Sequence, residues 1–576
     1  MRRIKQHKQL ELFDSWRHLG EKRRKLLDQS WPGLFRKHIL EELPVGEFMR
    51  FFNARNGRPT KELHTVLGAL LLQQAHDFTD VETVNQLAFN IQWHYALNIP
   101  EESDELKYIC EKTLWSMRRI ATKHEIDRLM MERTSEKLAK VFGVDAKNQR
   151  IDSVHIRSNM KKLGRIGLFV KIINNFLRNL KRRHKDLFNT VPEKIADRYL
   201  SRKFLSVFSM VKPSESAKTL KSVGADLFEL VEMFKDHEAA GMNTYKAMRR
   251  ALNEQCDVES GVVTVKKPKE IASDSLQNPS DPDATYSAHK GQGYKAQIME
   301  TFTMTDDPDE KDRTLNLITH VELDKACGHD SHALIPAIED AVEKGLGPET
   351  VLADTHYGTD ENVTDAREKG VELIAPTTKG GKAGKSIGLE DFEFDEKGRV
   401  TKCPHGEKPE RVRLRKRFSV YFDVDNCKNC PHMEDCPIKP GGKHYYLRYT
   451  HKDYRLAERR AREKTAEFLN AYRWRSGVEA TMSQLNALTG AKNLRVRGFT
   501  SVRFCVVLKA VGVNIARAAA VMKNLIRRKG RVSGFSSTDV MLFPFFKERI
   551  LTTISKIVKN QLSDLSAAEN YMQSAA

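Results

Sequence analysis

The chain has 576 residues, of which 40% are hydrophobic, so it is long enough for several domains and apolar enough to bury real cores. These values exclude a wholly disordered basic tail. The formal net charge is +20, from 97 Lys and Arg against 77 Asp and Glu. A folded protein with this balance most often has a polyanion as its partner, although a solvated basic surface gives the same count.

The compartment is also constrained by composition. Eight scattered cysteines do not suggest a disulfide framework, so we expect a reducing, cytoplasmic environment. Residues 1–16 alternate charged and apolar side chains without an apolar core segment, and we expect no secretory signal. The longest apolar region, 502–522, is interrupted by Arg503, Lys509 and Arg517, and we therefore expect no transmembrane helix.

Helical patterns fill residues 1–148, which we predict to be an all-helical N-terminal domain. Within residues 61–75 one apolar stripe is typical of an amphipathic helix; it consists of Leu63, Val66, Leu67, Leu70 and Leu71. Thr79 and Glu82 have the spacing of a capping box and predict the start of a second helix. Its predicted apolar stripe consists of Val81, Val84, Leu87, Ala88 and Ile91. The pair predicts either a helix-turn-helix unit or an ordinary helical hairpin.

The pattern changes at residue 150. Residues 150–156 are rich in β-branched side chains and predict a short strand with Asp152 in its middle. Residues 157–185 then predict a helix with ten Lys and Arg and no Asp or Glu. The apolar face of this helix consists of Phe169, Ile172, Ile173, Phe176 and Leu180. Its basic face predicts either contact with nucleic-acid phosphates or a solvated surface with an acidic partner elsewhere in the fold.

Strand patterns return after the loop 268–284, which is rich in Pro, Asp and Ser. The predicted strands are 293–304, 315–326, 351–354 and 372–376, and the predicted helices between them are 332–344 and 362–369. Without insertions, this order of elements is that of a ribonuclease H-like domain, a mixed sheet with helices on its faces. We predict such an α/β domain over residues 149–500, interrupted by a helical insertion at about 157–284 and a cysteine-containing insertion at about 379–452. Residues 501–576 are predicted to form a helical basic tail.

Two aspartates lie where this predicted sheet can use them for chemistry. Asp152 lies in the middle of a strand, where a carboxylate is costly unless it is paired or bound to a metal. Asp354 follows the strand 351–353, at the end where open α/β sheets usually place their ligands. Carboxylate oxygens are the ligands that Mg²⁺ prefers. Taken singly, each aspartate could equally be an ordinary strand-end or capping residue.

A third acidic residue belongs to a more informative pattern. In a helix, Tyr472, Arg475 and Glu479 stand at positions i, i+3 and i+7 and share one face. Arg475 could then hold a DNA phosphate beside a metal that Glu479 binds. The alternative is a surface helix with an ion pair between Arg475 and Glu479, which would contribute little.

Together these residues resemble the bacterial insertion-sequence transposases of the DDE type. The spacing Tyr-x-x-Arg-x-x-x-Glu at 472–479 is a signature of that family, and Ile151-Asp152-Ser153 resembles its first-aspartate strand. Residues 352–358 resemble its second-aspartate motif, and Gly293-Tyr294-Lys295 resembles the start of its second strand. Gly57-Arg58-Pro59, the helix that follows and residues 90–93 resemble the N-terminal domain of many of these enzymes. The resemblance spans residues 30–120, 149–157, 285–376 and 465–520, and it departs at Asn486, where the signature often has a lysine.

The resemblance implies a DNA transposase. Asp152, Asp354 and Glu479 would bind two Mg²⁺ or Mn²⁺ ions, while Tyr472 and Arg475 would position the DNA end. The partners implied are the terminal inverted repeats and target DNA, bound by a homodimer in the bacterial cytoplasm, close to the nucleoid and away from any membrane. The N-terminal domain would bind DNA. Two alternatives stay open: an inactive or domesticated DNA-binding protein, and a nuclease that hydrolyses DNA without joining it.

The second insertion contains four cysteines that have their own chemistry. These are Cys403, Cys427, Cys430 and Cys436, of which the middle two form a CxxC pair. Either a structural Zn²⁺ site or a set of free thiols fits this spacing, with His405 and His432 as substitute ligands. The other cysteines, expected to be buried apolar residues, are Cys110, Cys256, Cys327 and Cys505.

A glycine-rich segment in the same insertion is a false lead. Residues 380–386 end like a phosphate-binding loop, but the motif requires glycine at the position that Lys379 occupies. We interpret the segment as a flexible basic loop.

Overall fold

The computed structural model describes residues 2–5, 7, 14–201, 211–378 and 387–532. The loop at 380–386 and residues 533–576 of the predicted tail lie outside the described residues. The described chain is a mixed α/β protein with an N-terminal helical region.

The N-terminal region consists of short helices around one fully enclosed helix. The helices are α1 (Glu21–Asp28), α2 (Trp31–His38), α3 (Val45–Phe48), α4 (Leu63–Ala75), α5 (Asp80–Phe89), α6 (Ile91–Ala96), α7 (Asp104–Lys107), α8 (Glu111–Lys123) and α9 (Ile126–Phe142). The capping box at the start of α5 is confirmed, because the Thr79 hydroxyl accepts from the Glu82 amide at 3.2 Å and the Glu82 carboxylate accepts from the Thr79 amide at 2.7 Å.

The amphipathic stripes predicted for these two helices are partly wrong. In α4 almost every side chain is buried, including the polar Gln73 and Gln74, because neighbouring helices cover it on all sides. In α5 Val81 lies outside the core with 53% of its surface exposed. The helix ends at Phe89, and Asn90 caps a new helix there, so the predicted second stripe does not continue to Ile91.

A strand and a helical insertion follow. The elements are β1 (Asn148–Arg157), α10 (Arg165–Arg183), α11 (Lys185–Phe188), α12 (Glu193–Leu200), α13 (Ser216–Phe234), α14 (Asn243–Gln255), β2 (Cys256–Glu259) and β3 (Val262–Val265). The predicted apolar face of α10 is confirmed, since Phe169, Ile172, Ile173, Phe176 and Leu180 are all buried. These side chains belong to a core that the insertion builds from its own residues.

The central sheet is mixed. After the insertion come β4 (Thr285–Ser287), β5 (Gly291–Thr301), α15 (Pro308–Lys311), β6 (Ile318–Lys325), α16 (Leu334–Glu343), β7 (Thr350–Leu352), α17 (Asp360–Glu368) and β8 (Glu372–Ile374). The strand β5 pairs antiparallel with β1, β6 and β4, whereas β1, β7 and β8 run parallel to one another. The predicted antiparallel pair and the two later strands are thereby confirmed, and the sheet order is β4-β5-β1-β7-β8, with β6 also on β5.

The remaining elements comprise the cysteine-containing insertion and a helical end. They are β9 (Glu393–Phe394), β10 (Val400–Lys402), β11 (Arg411–Leu414), β12 (Phe418–Phe422), α18 (Val424–Lys428), β13 (Tyr445–Tyr449), α19 (His451–Glu463), α20 (Ala466–Tyr472), α21 (Gly477–Thr489) and α22 (Phe499–Val532). The strands β11, β12 and β13 form a small antiparallel sheet. This insertion also has its own core.

The two faces of the central sheet pack against different helices. One face, with Val154 and Ile156 of β1, shares a core with the N-terminal helices, α21 and α22. The other face, with Ile151 of β1, packs against α16 and α17. Asp152 is two positions before Val154 and therefore lies on the same face of β1, the side of α21.

The segment predicted as a basic tail begins with α22, a helix of the main core. Two of its basic residues are buried and paired: Arg503 contacts Asp127 of α9, and Lys509 contacts Asp77 at 2.8 Å. By length and composition, Phe499–Arg528 could cross a membrane, but 83% of its most apolar stretch is buried inside the protein. The core helix of a soluble protein passes the same test, so the expectation of no transmembrane helix stays a prediction.

Candidate active site

The middle of β1 presents the first carboxylate. Asp152 lies opposite Ile298 of β5, where the antiparallel β1–β5 ladder continues beyond the end of the parallel β1–β7 pairing. The Asp152 side chain is 17% exposed, and its Oδ1 accepts from the Ser153 amide at 2.7 Å. A rigid central strand therefore holds this carboxylate at the rim of the sheet.

The second carboxylate follows the neighbouring strand. Asp354 comes two residues after the end of β7, and its Oδ1 accepts from the His356 amide at 2.8 Å. Tyr357 is fully buried and donates its hydroxyl proton to Gln297 of β5. A Cβ at Gly358 would lie 2.5 Å from the Pro376 carbonyl oxygen, so the turn can close only with glycine there. These contacts fix Asp354 beside β1.

The third carboxylate, Glu479, follows a break in the predicted helix. The sequence predicts a helical run through Asn486 that includes Tyr472 and Glu479, but a 3₁₀ turn, Arg473–Ser476, separates α20 from α21. Tyr472 ends α20, Arg475 lies in the turn and Glu479 is in the first turn of α21. The prediction of one continuous helical face is therefore wrong in detail. Arg150 donates a hydrogen bond of 2.7 Å to the Trp474 carbonyl, and this contact holds the tighter 3₁₀ turn in place.

Arg475 brings the three carboxylates together. Its Nη2 donates to Asp152 Oδ2 at 2.7 Å and lies 3.9 Å from Asp354 Oδ2, and its Nη1 lies 3.8 Å from Glu479 Oε1. Asp152 Oδ2 and Asp354 Oδ2 both approach Nη2 of Arg475, so the distance between these two oxygens cannot exceed the sum of their distances to that nitrogen. The two carboxylates are therefore close neighbours. The carboxylates surround the guanidinium and do not form a group whose ligand atoms all lie within 4.8 Å of one another.

The electrostatics match a crowded acidic site. Burial raises the pKa of Asp152 above its usual value, and the neighbouring Asp354 and Asp330 raise it further, whereas Arg475 lowers it. Burial also raises the pKa of Tyr472, and Asp354 and Asp152 add to this effect, against the opposing charge of Arg475. These carboxylates repel one another, and a cation placed among them relieves the repulsion.

A polar layer behind the site was not predicted from the sequence. Asp330 lies within 2.9 Å of Lys295 Nζ and accepts from the Gln297 amide nitrogen at 2.8 Å. Burial would raise the pKa of Asp330, but the hydrogen bonds from Gln297 and Lys295 leave it lowered. Gln297 also accepts from Tyr357, so one amide joins the Asp354 turn to this layer. Asp330 is far in sequence from Asp152 and Glu479, and no motif marks it.

Asn486 departs from the family signature and has a structural contact of its own. Its side-chain oxygen accepts from the Lys492 amide at 3.2 Å, which closes the loop after α21. The side chain is half-buried.

The four cysteines of the insertion line one small cavity. His405 and His432 line the same cavity, and their rings are 5.8 Å apart. Burial raises the pKa of Cys427 to about 12, and the nearby Cys403, Cys436 and Cys430 add to this shift. The donor set suits zinc, although among the described residues no three of these sulphur atoms lie within 4.8 Å of one another.

The expectation for the other cysteines is only partly confirmed. Cys256 and Cys505 are buried, whereas Cys110 is exposed and its sulphur lies 3.1 Å from the Thr113 hydroxyl. Cys327 is half-buried.

One further group of metal-ligand type lies in the N-terminal region. Ligand atoms of His7, Glu62 and His64 lie within 4.8 Å of one another. Glu62 uses both carboxylate oxygens to cap α4, since they accept from the amides of His64 and Thr65. The Asn98 amide nitrogen lies 3.3 Å from His7 Nδ1, so this ring nitrogen already has a polar neighbour. These bonds favour a helix cap over a metal site.

Two transposase family models match separate parts of the chain. A family model described as a transposase DDE domain matches residues 402–519. A second, described as the transposase domain DUF772, matches residues 26–119. The first match contains Tyr472, Arg475 and Glu479, while Asp152 and Asp354 lie between the two matches. No curated protein matches the chain.

Proposed function

Because the chain belongs to the insertion-sequence DDE transposases, we propose that it cuts the ends of its own DNA element and joins them to target DNA. The observation that carries this proposal is the meeting of Asp152, Asp354 and Glu479 around one guanidinium. Three carboxylates from a strand, a strand end and a late helix that converge on a partly open surface suit hard divalent cations.

The fold supports the same proposal. The central path β6-β5-β1-β7-β8 combines an antiparallel half with a parallel half, with helices on both faces. We propose that this domain is ribonuclease H-like. Its first strand and the end of its fourth then carry the two aspartates, as the resemblance implies.

Each residue of the site would have a distinct role in the reaction. Asp152, Asp354 and Glu479 would hold two Mg²⁺ or Mn²⁺ ions, which when bound supply an activated oxygen nucleophile and stabilise the leaving oxygen. Arg475 would hold a phosphate of the DNA end, since its Nε is buried without a hydrogen-bond partner among the described residues. The Tyr472 hydroxyl would orient the same strand. The freed 3′-hydroxyl would then attack target DNA in line.

The direct experiment is a strand-joining assay. Purified protein, Mg²⁺ and a duplex that carries the element's end should give both a cut end and a product joined to a target plasmid. Cutting without joining would instead favour the hydrolytic nuclease. Salt-sensitive DNA binding without either product would favour an inactive or domesticated DNA-binding protein.

The assembly and location are part of the proposal. Two DNA ends must be held together for joining, so we propose a homodimer in the DNA complex. We also propose that the protein acts in the bacterial cytoplasm at the nucleoid, without a membrane partner, and that its N-terminal helices bind DNA. Whether α4 and α5 act as a helix-turn-helix unit stays a prediction.

The end of α10 is proposed to track DNA phosphates. Four exposed cations there form no ion pair with any described residue: Arg178, Lys181, Arg182 and Arg183. This supports contact with DNA phosphates over the alternative of an acidic partner elsewhere in the fold. Replacing all four by glutamine should weaken DNA binding uniformly across sequences. The slope of log affinity against log salt should fall by up to about 0.9 for each DNA phosphate that these cations no longer neutralise.

A matched variant tests whether position or charge is responsible. Four exposed cations on α13 and α14 of the same insertion can be changed in the same way: Lys218, Lys221, Lys246 and Arg249. Replacing these four cations by glutamine should leave the slope of log affinity against log salt closer to that of the wild type. Equal effects of the two sets, measured by fluorescence anisotropy between 50 and 300 mM salt at about physiological pH, would contradict a specific role for α10.

The cysteine insertion is proposed to bind one structural Zn²⁺ ion. Cys403, Cys427, Cys430 and Cys436 supply the donors, and protein purified without chelator should contain about one zinc per chain. Chelation should lower the melting temperature of the insertion, because metal binding and folding are coupled in small modules. Cys427→Ser should lose the zinc, whereas Cys110→Ser should keep it. Zinc-free protein with four titratable thiols and an unchanged melting curve would show free cysteines instead.

A further inference from the structure

A second charged residue lies on the same face of β1 as Asp152. Arg150 is two positions earlier and only 8% exposed. Its Nε and Nη2 both lie 2.8 Å from Glu300 Oε1, and its Nη1 donates to the Trp474 carbonyl at 2.7 Å. The guanidinium also lies over the Phe302 ring, 5.3 Å from its centroid. Arg150 therefore connects the strand of the first carboxylate to the turn that carries Arg475.

Glu300 is the centre of this buried network. It is fully buried in β5, and it also accepts from the Thr481 hydroxyl of α21 at 2.7 Å and from Arg517 of α22 at 2.8 Å. Arg517 in turn donates to the Thr481 hydroxyl at 2.6 Å. One carboxylate thus ties together two strands and two helices, and one of these helices contains Glu479.

The network has a steric counterpart at the start of α21. A Cβ at Gly477 would lie 2.0 Å from Nη1 and 2.6 Å from Cζ of Arg150. The guanidinium cannot easily move away, because Glu300 and the Trp474 carbonyl hold it. Gly477 has φ −63°, a helical value that alanine adopts freely. The constraint on this position therefore comes from the close approach of Arg150 and not from the backbone.

We propose that Arg150, Glu300 and Gly477 are positioning residues that set the distance between the Asp152 strand and the Glu479 helix. They do not touch the reacting atoms and act through the Arg473–Ser476 turn. This inference rests on the proposed function, because it concerns the geometry of the same three carboxylates. A change of about one ångström in this spacing is enough to weaken a metal site whose ligands come from separate elements.

The experiment measures Mn²⁺ binding by isothermal titration calorimetry together with the thermal midpoint, in the full-length protein. Gly477→Ala should weaken Mn²⁺ binding about tenfold, in the range expected when the supports of metal ligands are lost. Its thermal midpoint should fall as well, because the clash with the held Arg150 guanidinium outweighs the helical preference of alanine. Glu300→Gln should weaken binding by a similar factor, with a lower midpoint because two buried arginines lose their counter-ion.

The control is another buried ion pair away from the carboxylates. Asp127 is fully buried and pairs with Arg503, which is 4% exposed, between α9 and α22. Asp127→Asn should lower the midpoint and leave Mn²⁺ affinity unchanged, so that destabilisation alone cannot explain a loss of binding. If Glu300→Gln does not fold, Gly477→Ala decides the matter.

Two results would overturn the inference, and they are distinguishable. If Gly477→Ala and every folded Glu300 variant bind Mn²⁺ within twofold of the wild type while Asp354→Asn does not bind, the positioning role is wrong and the metal site stands. If Asp354→Asn binds Mn²⁺ as the wild type does, the metal site itself is wrong, and the positioning role is overturned with it.

Discussion

Asp354→Asn is expected to reduce Mg²⁺-dependent cleavage of the element's end by at least about 10³-fold, since metal activation contributes several kcal/mol and each 1.36 kcal/mol is tenfold in rate. The asparagine has nearly the same shape and can still accept the His356 amide, so the Asp354 turn should persist. What is lost is the negative charge next to Asp152. Single-turnover cleavage of a labelled duplex gives the rate, and DNA binding measured without metal should be unchanged.

The matched control for this variant is Asp360→Asn. Asp360 lies in the same segment of the chain, at the start of α17. It pairs with Arg455 of α19 and not with Arg475. Asparagine at this position should cost some stability and leave the cleavage rate within a few-fold of the wild type. Cleavage by Asp354→Asn at more than a tenth of the wild-type rate would refute the assignment of this carboxylate.

Sequence patterns were sufficient for the order of elements in the catalytic region. The β-branched content located β1, strand composition around a polar turn located β5 and β6, and the capping residues located the start of α5, because these signals are local. They failed where burial comes from distant parts of the chain. The helix α4 is apolar on one stripe by sequence, but α22, more than 400 residues later, and its other neighbours cover its remaining sides.

The carboxylates were predicted, but their surroundings were not. Asp152, Asp354 and Glu479 stand in recognisable local patterns, whereas Asp330, Lys295 and Glu300 are single charged residues in ordinary strand or loop sequence. Glu300 is fully buried with two arginines, Arg150 from β1 and Arg517 from α22, and only the folded chain brings these together. Pairing between distant charges depends on register and packing, which a single sequence does not encode in any short motif.

The 3₁₀ turn before α21 shows the same limit. The spacing of Tyr472, Arg475 and Glu479 is compatible with a continuous helix, and no proline interrupts it. The break follows from a tertiary contact: Arg150 donates a hydrogen bond to the Trp474 carbonyl and packs against Gly477. The signature residues still meet, because residues three apart share a face in both kinds of helix and residues four apart are neighbours in an α-helix.

Arg475→Ala is expected to separate metal binding from catalysis, with opposite effects on the two. The guanidinium neutralises Asp152, Asp354 and Glu479 in the structure, so a divalent cation must compete with it. Without it the three carboxylates repel one another more strongly, and Mn²⁺ affinity should rise roughly tenfold, which corresponds to about 1.4 kcal/mol. Cleavage should nevertheless fall by about 10²-fold or more, because the phosphate of the DNA end loses its positioning cation.

Arg475→Lys provides the control, since it keeps the charge but loses the planar fork. A lysine can still approach one carboxylate, so Mn²⁺ affinity should stay near the wild-type value, while cleavage should be intermediate because a phosphate is held by fewer hydrogen bonds. Calorimetry with Mn²⁺ and single-turnover cleavage on the same preparations give both quantities. If Arg475→Ala instead binds Mn²⁺ more weakly than the wild type, the guanidinium orders the carboxylates for the metal and does not compete with it. The role of Arg475 would then be to organise the site before DNA arrives.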